Sequence, residues 1–263
     1  MNPLLQAVKI SFSYHNRAIL SNVSLDFRNG EVVSLLGPNG SGKTTLLKNL
    51  IGLLAPQQGQ VLFEGRPLRD YPRGALAKRI AYVPQVHREA FAYTVEDVVL
   101  MGRMPYHGLF SNYSRRDREI AAAAMHRLNI LHLKDQAYTE ISGGERQLTL
   151  IARSIAQGAG VFIMDEPVNG LDYGNQMRLL ADINRLAQDG LTFIMTTHFP
   201  DHALMTADRV VLLNHGRVVA DGAPADVITR NSLRDLYRVE VDVATIPGAN
   251  GNKRVCVPAV SGR

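Results

Sequence analysis

Residues 31–44 read Glu31-Val-Val-Ser-Leu-Leu-Gly-Pro-Asn-Gly-Ser-Gly-Lys-Thr44, and this stretch decides the fold. Its first half is a short, nearly continuous apolar run, which is typical of a strand buried on both faces. Glycines follow at once, and a helical pattern then runs from Thr44 to Leu54. The order of strand, glycine-rich loop and helix predicts that backbone N–H groups and the positive end of the helix face an anion.

The loop at residues 37–44 matches the phosphate-binding pattern of nucleotide-binding proteins. Glycines let backbone N–H groups turn toward phosphate oxygens, Lys43 supplies a cation for the β- and γ-phosphates, and Thr44 offers a hydroxyl to Mg²⁺. A glycine-rich turn without a ligand is the alternative, but the strand before it and the helix after it favour nucleotide binding. The predicted phosphate contacts are Gly37, Pro38, Asn39, Gly40, Ser41, Gly42, Lys43, Thr44 and Thr45.

A second apolar run, residues 161–164, ends in the acidic pair Asp165-Glu166. In NTPases an acid at such a strand end holds Mg²⁺, so we expect Asp165 to do this. The adjacent Glu166 is expected to orient or deprotonate an attacking water. An acidic turn would also explain the pair, but a phosphate-binding loop in the same chain favours catalysis.

Strands alternate with helices in the second half of the chain. Apolar runs at 161–164 and 191–195 flank a helical pattern at 175–188. This alternation predicts a parallel sheet with right-handed crossovers. Strand patterns at 210–213 and 217–220 predict a closing hairpin.

The first half of the chain has two further patterns. Residues 5–14 and 23–27 have the character of strands, and Asn29-Gly30 after them is a hairpin-turn signal. Ser114, with an acid three residues later, predicts a helix start. We interpret residues from about 85 to 155 as a mostly helical insertion.

The composition bounds the class of protein. The chain has 263 residues, 46% of them hydrophobic and 20% charged, which describes a globular protein with a full core. No apolar run approaches the ~20 residues needed to cross a bilayer, so we expect no membrane span and no secretory signal. With Cys256 as the single cysteine, an intrachain disulfide is excluded.

The net charge of +5 by itself suggests nucleic acid as a partner, but the positive charge is unevenly distributed along the sequence. The last twenty residues contain Lys253, Arg254 and Arg263 and no acid, so +3 of the +5 belongs to this tail. The remaining chain is close to neutral, which argues against a basic face that grips phosphate backbones. We therefore predict no nucleic-acid partner and a flexible tail.

The six residues Ser142-Gly-Gly-Glu-Arg-Gln147, here named the signature segment, resemble the signature of ATP-binding cassette (ABC) proteins. Taken alone they could be a helix cap with a Gly-Gly turn. The resemblance covers residues 5–237 and implies an α/β fold, with a P-loop NTPase (RecA-like) core, an antiparallel β subdomain and an inserted α-helical subdomain. The implied parts are 1–84 (β subdomain and first part of the core), 85–155 (helical signature subdomain), 156–243 (second part of the core) and 244–263 (flexible tail).

Further residues match the cassette pattern in chain order. Tyr14 resembles the aromatic residue that stacks on adenine, and Gln85 the glutamine that joins the Mg²⁺ site to the transport partner. Asp172 lies in the loop expected to cross a dimer interface, and His198 resembles the switch histidine at the γ-phosphate. The implied catalytic residues are Glu166, His198, Lys43 and Gln85. The implied Mg²⁺ ligands are Thr44, Gln85 and Asp165. The implied ATP contacts are the phosphate-binding loop at 37–45 together with Tyr14, Ser142, Gly143, Gly144, Glu145 and Asp172.

The resemblance also implies the partners. Ser142 of one chain would cover the γ-phosphate held by Lys43 of another, so ATP and Mg²⁺ would lie in a head-to-tail homodimer. Glu145, Val168 and Asn169-Gly170 depart from the commoner family residues, which puts only dimer contacts in question. Integral membrane permease subunits, and through them a substrate-binding protein, would complete a transporter with this chain at the cytoplasmic face of the membrane.

Two segments are similar to the iron-chelate, haem and cobalamin branch of bacterial importers. They are residues 83–103 and Leu171-Asp-Tyr-Gly-Asn-Gln176. This similarity favours uptake of a ferric siderophore or related metal chelate, with residues 86–104 docking on the permease. Uptake of molybdate, haem or cobalamin, an exporter subunit, and a soluble cassette acting on ribosomes or DNA are the alternatives.

Overall fold

The computed structural model describes residues 3–85, 93–107, 112–248 and 251–259. Its strands are β1 (Leu5–Tyr14), β2 (Arg17–Phe27), β3 (Val32–Leu36), β4 (Gln58–Phe63), β5 (Arg66–Pro67), β6 (Ile80–Val83), β7 (Val161–Met164), β8 (Thr192–Thr197), β9 (Arg209–Asn214), β10 (Arg217–Gly222), β11 (Val241–Gly248) and β12 (Gly251–Pro258).

The α-helices are α1 (Lys43–Leu50), α2 (Arg73–Leu76), α3 (Val95–Leu100), α4 (Arg115–Arg127), α5 (Gly143–Ala156), α6 (Tyr173–Gln188), α7 (Pro200–Thr206), α8 (Pro224–Val227) and α9 (Arg230–Tyr237). Short 3₁₀ helices occupy Leu68–Asp70, Met101–Tyr106 and Leu131–Leu133. Within the described ranges, no helix combines the length and the apolar character that a bilayer span requires.

The chain divides into two compact units. The first unit is formed by Met1–Asp70 together with Thr192–Arg263, and the second by Tyr71–Leu191. The first unit has an antiparallel sheet in the order β2-β1-β4-β5. It also has β3 between β8 and β9, parallel to both, with β10 antiparallel on β9.

The second unit contains the parallel pair β6–β7 and helices α2 to α6. Ser114 is the N-cap of helix α4; its hydroxyl accepts from the N–H of Asp117 while the Asp117 carboxylate accepts from the N–H of Ser114. This reciprocal capping box confirms the predicted helix start.

The core strands explain why the apolar runs are continuous. All residues of β3, β7 and β8 are buried, so neither face of these strands needs polar side chains. The predicted closing hairpin is confirmed by β9–β10, and the predicted helix at 175–188 by α6.

Two expectations from the sequence are wrong. Asn29-Gly30 does not join a hairpin, because β2 pairs with β1 while β3 pairs with β8 and β9. The tail is not wholly loose either, because β11 and β12 form an antiparallel pair, here named the C-terminal strand pair. Its side chains Val241, Val243 and Cys256 pack against a buried apolar cluster of the first unit, which holds the pair in place.

Candidate functional site

The phosphate-binding loop lies in the first unit, between the end of β3 and the start of α1. Gly40 and Gly42 have φ values of +81° and +103°, a region that glycine enters at little cost. A Cβ atom on Gly37 would lie 2.3 Å from the carbonyl oxygen of Leu213 in β9. The close packing of the loop on β9 therefore requires glycine at position 37.

Lys43 lies across this loop. Its side chain is buried, and Nζ donates hydrogen bonds to the carbonyl oxygens of Gly37 (2.7 Å) and Pro38 (3.2 Å). The buried hydroxyl of Ser41 has no hydrogen-bond partner among the described residues. A phosphate group supplies acceptors for both groups, so the loop fits the anion that the sequence predicts.

Two other predicted residues belong to the first unit. Tyr14 is the last residue of β1 and is 43% exposed, and its ring packs in a T-shaped arrangement with that of Phe12, with centroids 4.9 Å apart. His198 directly follows β8, and its carbonyl oxygen accepts a hydrogen bond from the Tyr237 hydroxyl over 3.3 Å. The exposed ring of Tyr14 is available for stacking.

The second unit brings Gln85 and Glu166 together. Strands β6 and β7 run parallel, with Val83 opposite Met164, so the residues that follow them meet at one edge. The Asp165 N–H donates to the carbonyl of Val83 over 2.9 Å, which fixes the turn after β7. Gln85 Nε2 then donates to Glu166 Oε2 over 3.0 Å.

The turn at Glu166 has a special backbone conformation. Glu166 has a φ of +48°, although it is not a glycine, and its side chain is buried. Such left-handed residues cost free energy and often occur at functional sites, where the surrounding contacts hold them. Burial and the negative charge of Asp165 together raise the pKa of Tyr82 to about 12.

The signature segment forms the start of α5. The Ser142 hydroxyl accepts from the N–H of Glu145, and the Glu145 carboxylate accepts from the Ser142 N–H (2.8 Å) and hydroxyl (2.7 Å). These hydrogen bonds hold the pKa of the Glu145 carboxyl below its ordinary value, the contribution of the Ser142 hydroxyl being the largest. Ser142 and Glu145 therefore form a capping box, in which Glu145 adds a negative charge to the first turn of α5.

Asp172 caps α6 in the same unit. Its Oδ1 accepts from the N–H of Asn175 and its Oδ2 from the Asn175 side-chain amide, both over 2.8 Å. A Cβ atom on Gly144 would lie 3.2 Å from the same amide nitrogen. The second glycine of the signature segment thus allows close packing against the start of α6.

Sequence reasoning missed Asn169 as a site residue. Its side-chain amide lies 3.5 Å from Glu166 Oε2, and its backbone N–H donates to the Glu166 carbonyl over 3.0 Å. A pocket of this unit is lined by Gln85, Tyr138, Gly143, Arg146, Gln147, Leu150, Asn169 and Gly170. The sequence signals for Asn169 are its departure from the commoner family residue and its position three residues after the candidate base.

The predicted residues divide between the units. The first unit carries the loop at 37–45, Tyr14 and His198. The second carries Gln85, the acidic pair 165–166, residues 142–145 of the signature segment, and Asp172. Fold and residues define a P-loop nucleotide-binding cassette.

Comparison with known proteins identifies the family. The sequence model of the ABC transporter family matches residues 20–169. The chain belongs to the ABC transporter family and is an ATP-binding, ATP-hydrolysing cassette of the P-loop NTPase fold, which confirms the fold class predicted from the sequence.

Relatives and solved structures resemble nearly the whole chain. The hemin import ATP-binding protein HmuV of Nocardia farcinica is 38% identical, over 88% of this chain and 80% of its own. The petrobactin import ATP-binding protein FpuC of Bacillus anthracis is 31% identical, over 91% and 89%. A solved ABC transporter chain, assigned to the metal-chelate type and in an inward-facing conformation, is 32% identical with a TM-score of 0.87, covering 98% of both chains.

Proposed function

We propose that this cassette hydrolyses ATP to drive a bacterial membrane importer of metal chelates, a class that includes ferric siderophores and haem. The observation that carries the proposal is the hydrogen bond from the Gln85 amide to the Glu166 carboxylate. It joins the candidate general base directly to the segment that we expect to face the permease. Residues 86–92 of that segment lie outside the described residues.

Each candidate residue has a role in ATP binding or hydrolysis. Lys43 and the loop N–H groups bind the phosphates of ATP, and Glu166 accepts a proton from the attacking water. His198 contacts the γ-phosphate, and Tyr14 stacks on the adenine. Removal of the γ-phosphate ends its contacts with the loop and with His198, so nucleotide state becomes a switch.

Mg²⁺ fits the residues present. Thr44 offers a hydroxyl, Asp165 a carboxylate and Gln85 an amide oxygen, because the Gln85 nitrogen is the atom that bonds to Glu166. Hard oxygen ligands of this kind suit Mg²⁺, which also takes phosphate oxygens and water. When bound, the ion would neutralise phosphate charge during hydrolysis.

The assembly is a head-to-tail homodimer with ATP between the copies, bound to membrane permease subunits. Residues 142–145 of one copy cover the γ-phosphate held by Lys43 of the other. Ser142 is the N-cap of α5, and the glycines after it let a backbone approach phosphate closely. In this assembly we expect the chain at the cytoplasmic face of the membrane, with a substrate-binding protein on the far side of the permease.

The cargo class rests on similarity to the hemin and petrobactin import subunits and to the metal-chelate type transporter. A strain lacking the gene tests it by growth on hemin, on ferric siderophores and on inorganic iron as sole iron source. We expect a defect on at least one chelate that wild-type protein restores and Glu166→Gln protein does not. Normal growth on every chelate with a defect in molybdate use would overturn the cargo class.

The partner class is tested separately. A tagged copy of this chain, purified from membranes in mild detergent, is expected to bring an integral membrane protein with it. Recovery of ribosomes or DNA in place of a membrane protein would contradict the transport assignment.

A further inference from the structure

Residues 198–201, at the end of β8 and the start of α7, are contacted by C-terminal residues that lie outside the motifs shared with the ABC family. His198 lies between β8 and α7, all within the first unit. Its ring lies against that of Phe199, with centroids 4.0 Å apart. Because His198 lies two residues before α7 begins, a displacement of the start of α7 also moves His198, which we expect to contact the γ-phosphate.

The first contact comes from the end of α9. Tyr237, its last residue, donates its hydroxyl hydrogen to the main-chain carbonyl of His198 over 3.3 Å. The remainder of the Tyr237 side chain packs against the buried cluster. This packing orients the ring so that its hydroxyl reaches the backbone of His198.

The second contact comes from the C-terminal strand pair. The backbone N–H of Cys256 in β12 donates to Asp201 Oδ1 over 2.8 Å. Asp201 is the second residue of α7, three positions after His198. Hydrogen bonds to a charged acceptor are shorter and stronger than neutral ones, so this bond ties α7 to the strand pair.

An apolar cluster joins these contacts to the phosphate-binding loop. It contains Leu36, the residue directly before Gly37, and Ala203 of α7. Val241, Val243 and Cys256 of the strand pair pack against the same cluster. Tightly packed interiors transmit small displacements, so the strand pair supports both the loop and the His198 region.

We propose that Tyr237 and the C-terminal strand pair position His198 for ATP hydrolysis. This inference rests on the proposed role of His198 at the γ-phosphate. Both are positioning elements, since neither is assigned a contact with ATP. Holding a catalytic group in place reduces the rearrangement needed to reach the transition state, so their loss should lower turnover more than ATP affinity.

The first test removes one hydroxyl. Tyr237→Phe keeps the ring and its packing, and we expect kcat to fall about fivefold with the KM for ATP within about twofold of wild type, the size expected for one neutral hydrogen bond. Tyr106→Phe is the matched control, because the Tyr106 hydroxyl also donates to a main-chain carbonyl, that of Gln157, over 3.0 Å in the second unit. We expect its kcat and KM to match wild type.

The second test uses the contact at Asp201 and does not depend on Tyr237. Asp201→Ala removes the acceptor, whereas Asp201→Asn retains an oxygen at the same place. We expect kcat of Asp201→Ala to fall about as much as that of Tyr237→Phe, and kcat of Asp201→Asn to stay close to wild type. Equal kcat values for the two variants would show that the hydrogen bond to Cys256 has no part in positioning.

Failure of the inference can be told apart from failure of the proposed function. His198→Ala is measured alone and with Tyr237→Phe, using radiolabelled ATP to detect slow turnover. If His198→Ala hydrolyses ATP like wild type, the proposed role of His198 is wrong and the inference falls with it. If His198→Ala is impaired, the inference requires that Tyr237→Phe adds no further loss in that background. A loss of equal size in both backgrounds, or no loss in either, overturns the inference and leaves the role of His198 standing.

Discussion

The side-chain amide of Gln85 donates a hydrogen bond to the carboxylate of Glu166 over 3.0 Å. The two residues are 81 positions apart in sequence, and the parallel pairing of β6 with β7 brings them together. Because the Gln85 amide donates to one oxygen of the Glu166 carboxylate, a shift of Gln85 changes the position and the hydrogen bonding of the candidate base. A displacement of Gln85 is therefore transmitted directly to the Glu166 carboxylate.

Replacing Glu166 by Gln removes the proposed general base and keeps the shape of the side chain. We expect ATP binding to persist and hydrolysis to fall by roughly 10²- to 10⁴-fold, the usual contribution of acid–base catalysis. Because the γ-phosphate then stays intact, the variant should accumulate as a dimer with ATP. Phosphate release and light scattering with and without ATP measure the two effects.

Glu119→Gln is the control for this substitution, since Glu119 is exposed on α4 and, among the described residues, forms an ion pair only with Arg115. Its turnover should equal that of wild type. Unchanged turnover in Glu166→Gln would refute the assignment of the base. A variant that binds ATP, has lost hydrolysis and stays monomeric would refute the ATP-bridged dimer.

The local structure around the candidate site was predictable from the sequence, because it depends on residues that are close together in the chain. The strand, the glycines and Lys43 are adjacent in sequence, and a capped helix at Ser142 follows from a short motif. The contact of Asn169 with Glu166 was not predictable in this way, because it depends on the positive φ of Glu166. The C-terminal strand pair was missed because the glycine, proline and asparagine residues at 247–252 suggest a loose tail, whereas β11 and β12 pair across them.

Gly37→Ala tests the packing of the phosphate-binding loop on β9. A Cβ atom would lie 2.3 Å from a backbone oxygen of Leu213, so the loop must move. We expect a loss of stability of about 1–3 kcal/mol, as in other overpacked sites, and a rise in the Kd for ATP of at least about tenfold. Gly74→Ala is the control, because a Cβ atom there has no neighbour within 4 Å among the described residues. Equal ATP affinity in the two variants would contradict the role given to Gly37.

Tyr14→Ala tests the adenine contact. The ring is exposed at the end of β1, and stacking of a base on an aromatic ring is worth about 1–3 kcal/mol. We expect the Kd for ATP to rise roughly tenfold while kcat at saturating ATP is largely kept. Tyr14→Phe should bind ATP like wild type, since it retains the ring. Isothermal titration of the three proteins provides the measurement, and an unaltered Kd in the alanine variant would exclude stacking.

The capping box of the signature segment predicts a dependence of stability on pH. Hydrogen bonds from Ser142 hold the pKa of the folded Glu145 carboxyl below its ordinary value of 4.5. The ionised carboxylate therefore stabilises the fold at pH values above that ordinary value. Its contribution is lost as the pH falls through the lower pKa of the folded state.

Glu145→Gln separates the charge from the hydrogen bond, because the amide oxygen can still accept from Ser142. At about pH 7 we expect wild type to be more stable by about 0.5–1 kcal/mol, the usual value of an acid in the first turn of a helix. The difference should persist to about pH 5 and shrink as the pH drops below about 4.5, since the wild-type side chain then becomes neutral as well. Urea unfolding of both proteins across this range measures it. A difference that stays constant down to about pH 3.5 would show that the charge of Glu145 does not support the start of α5.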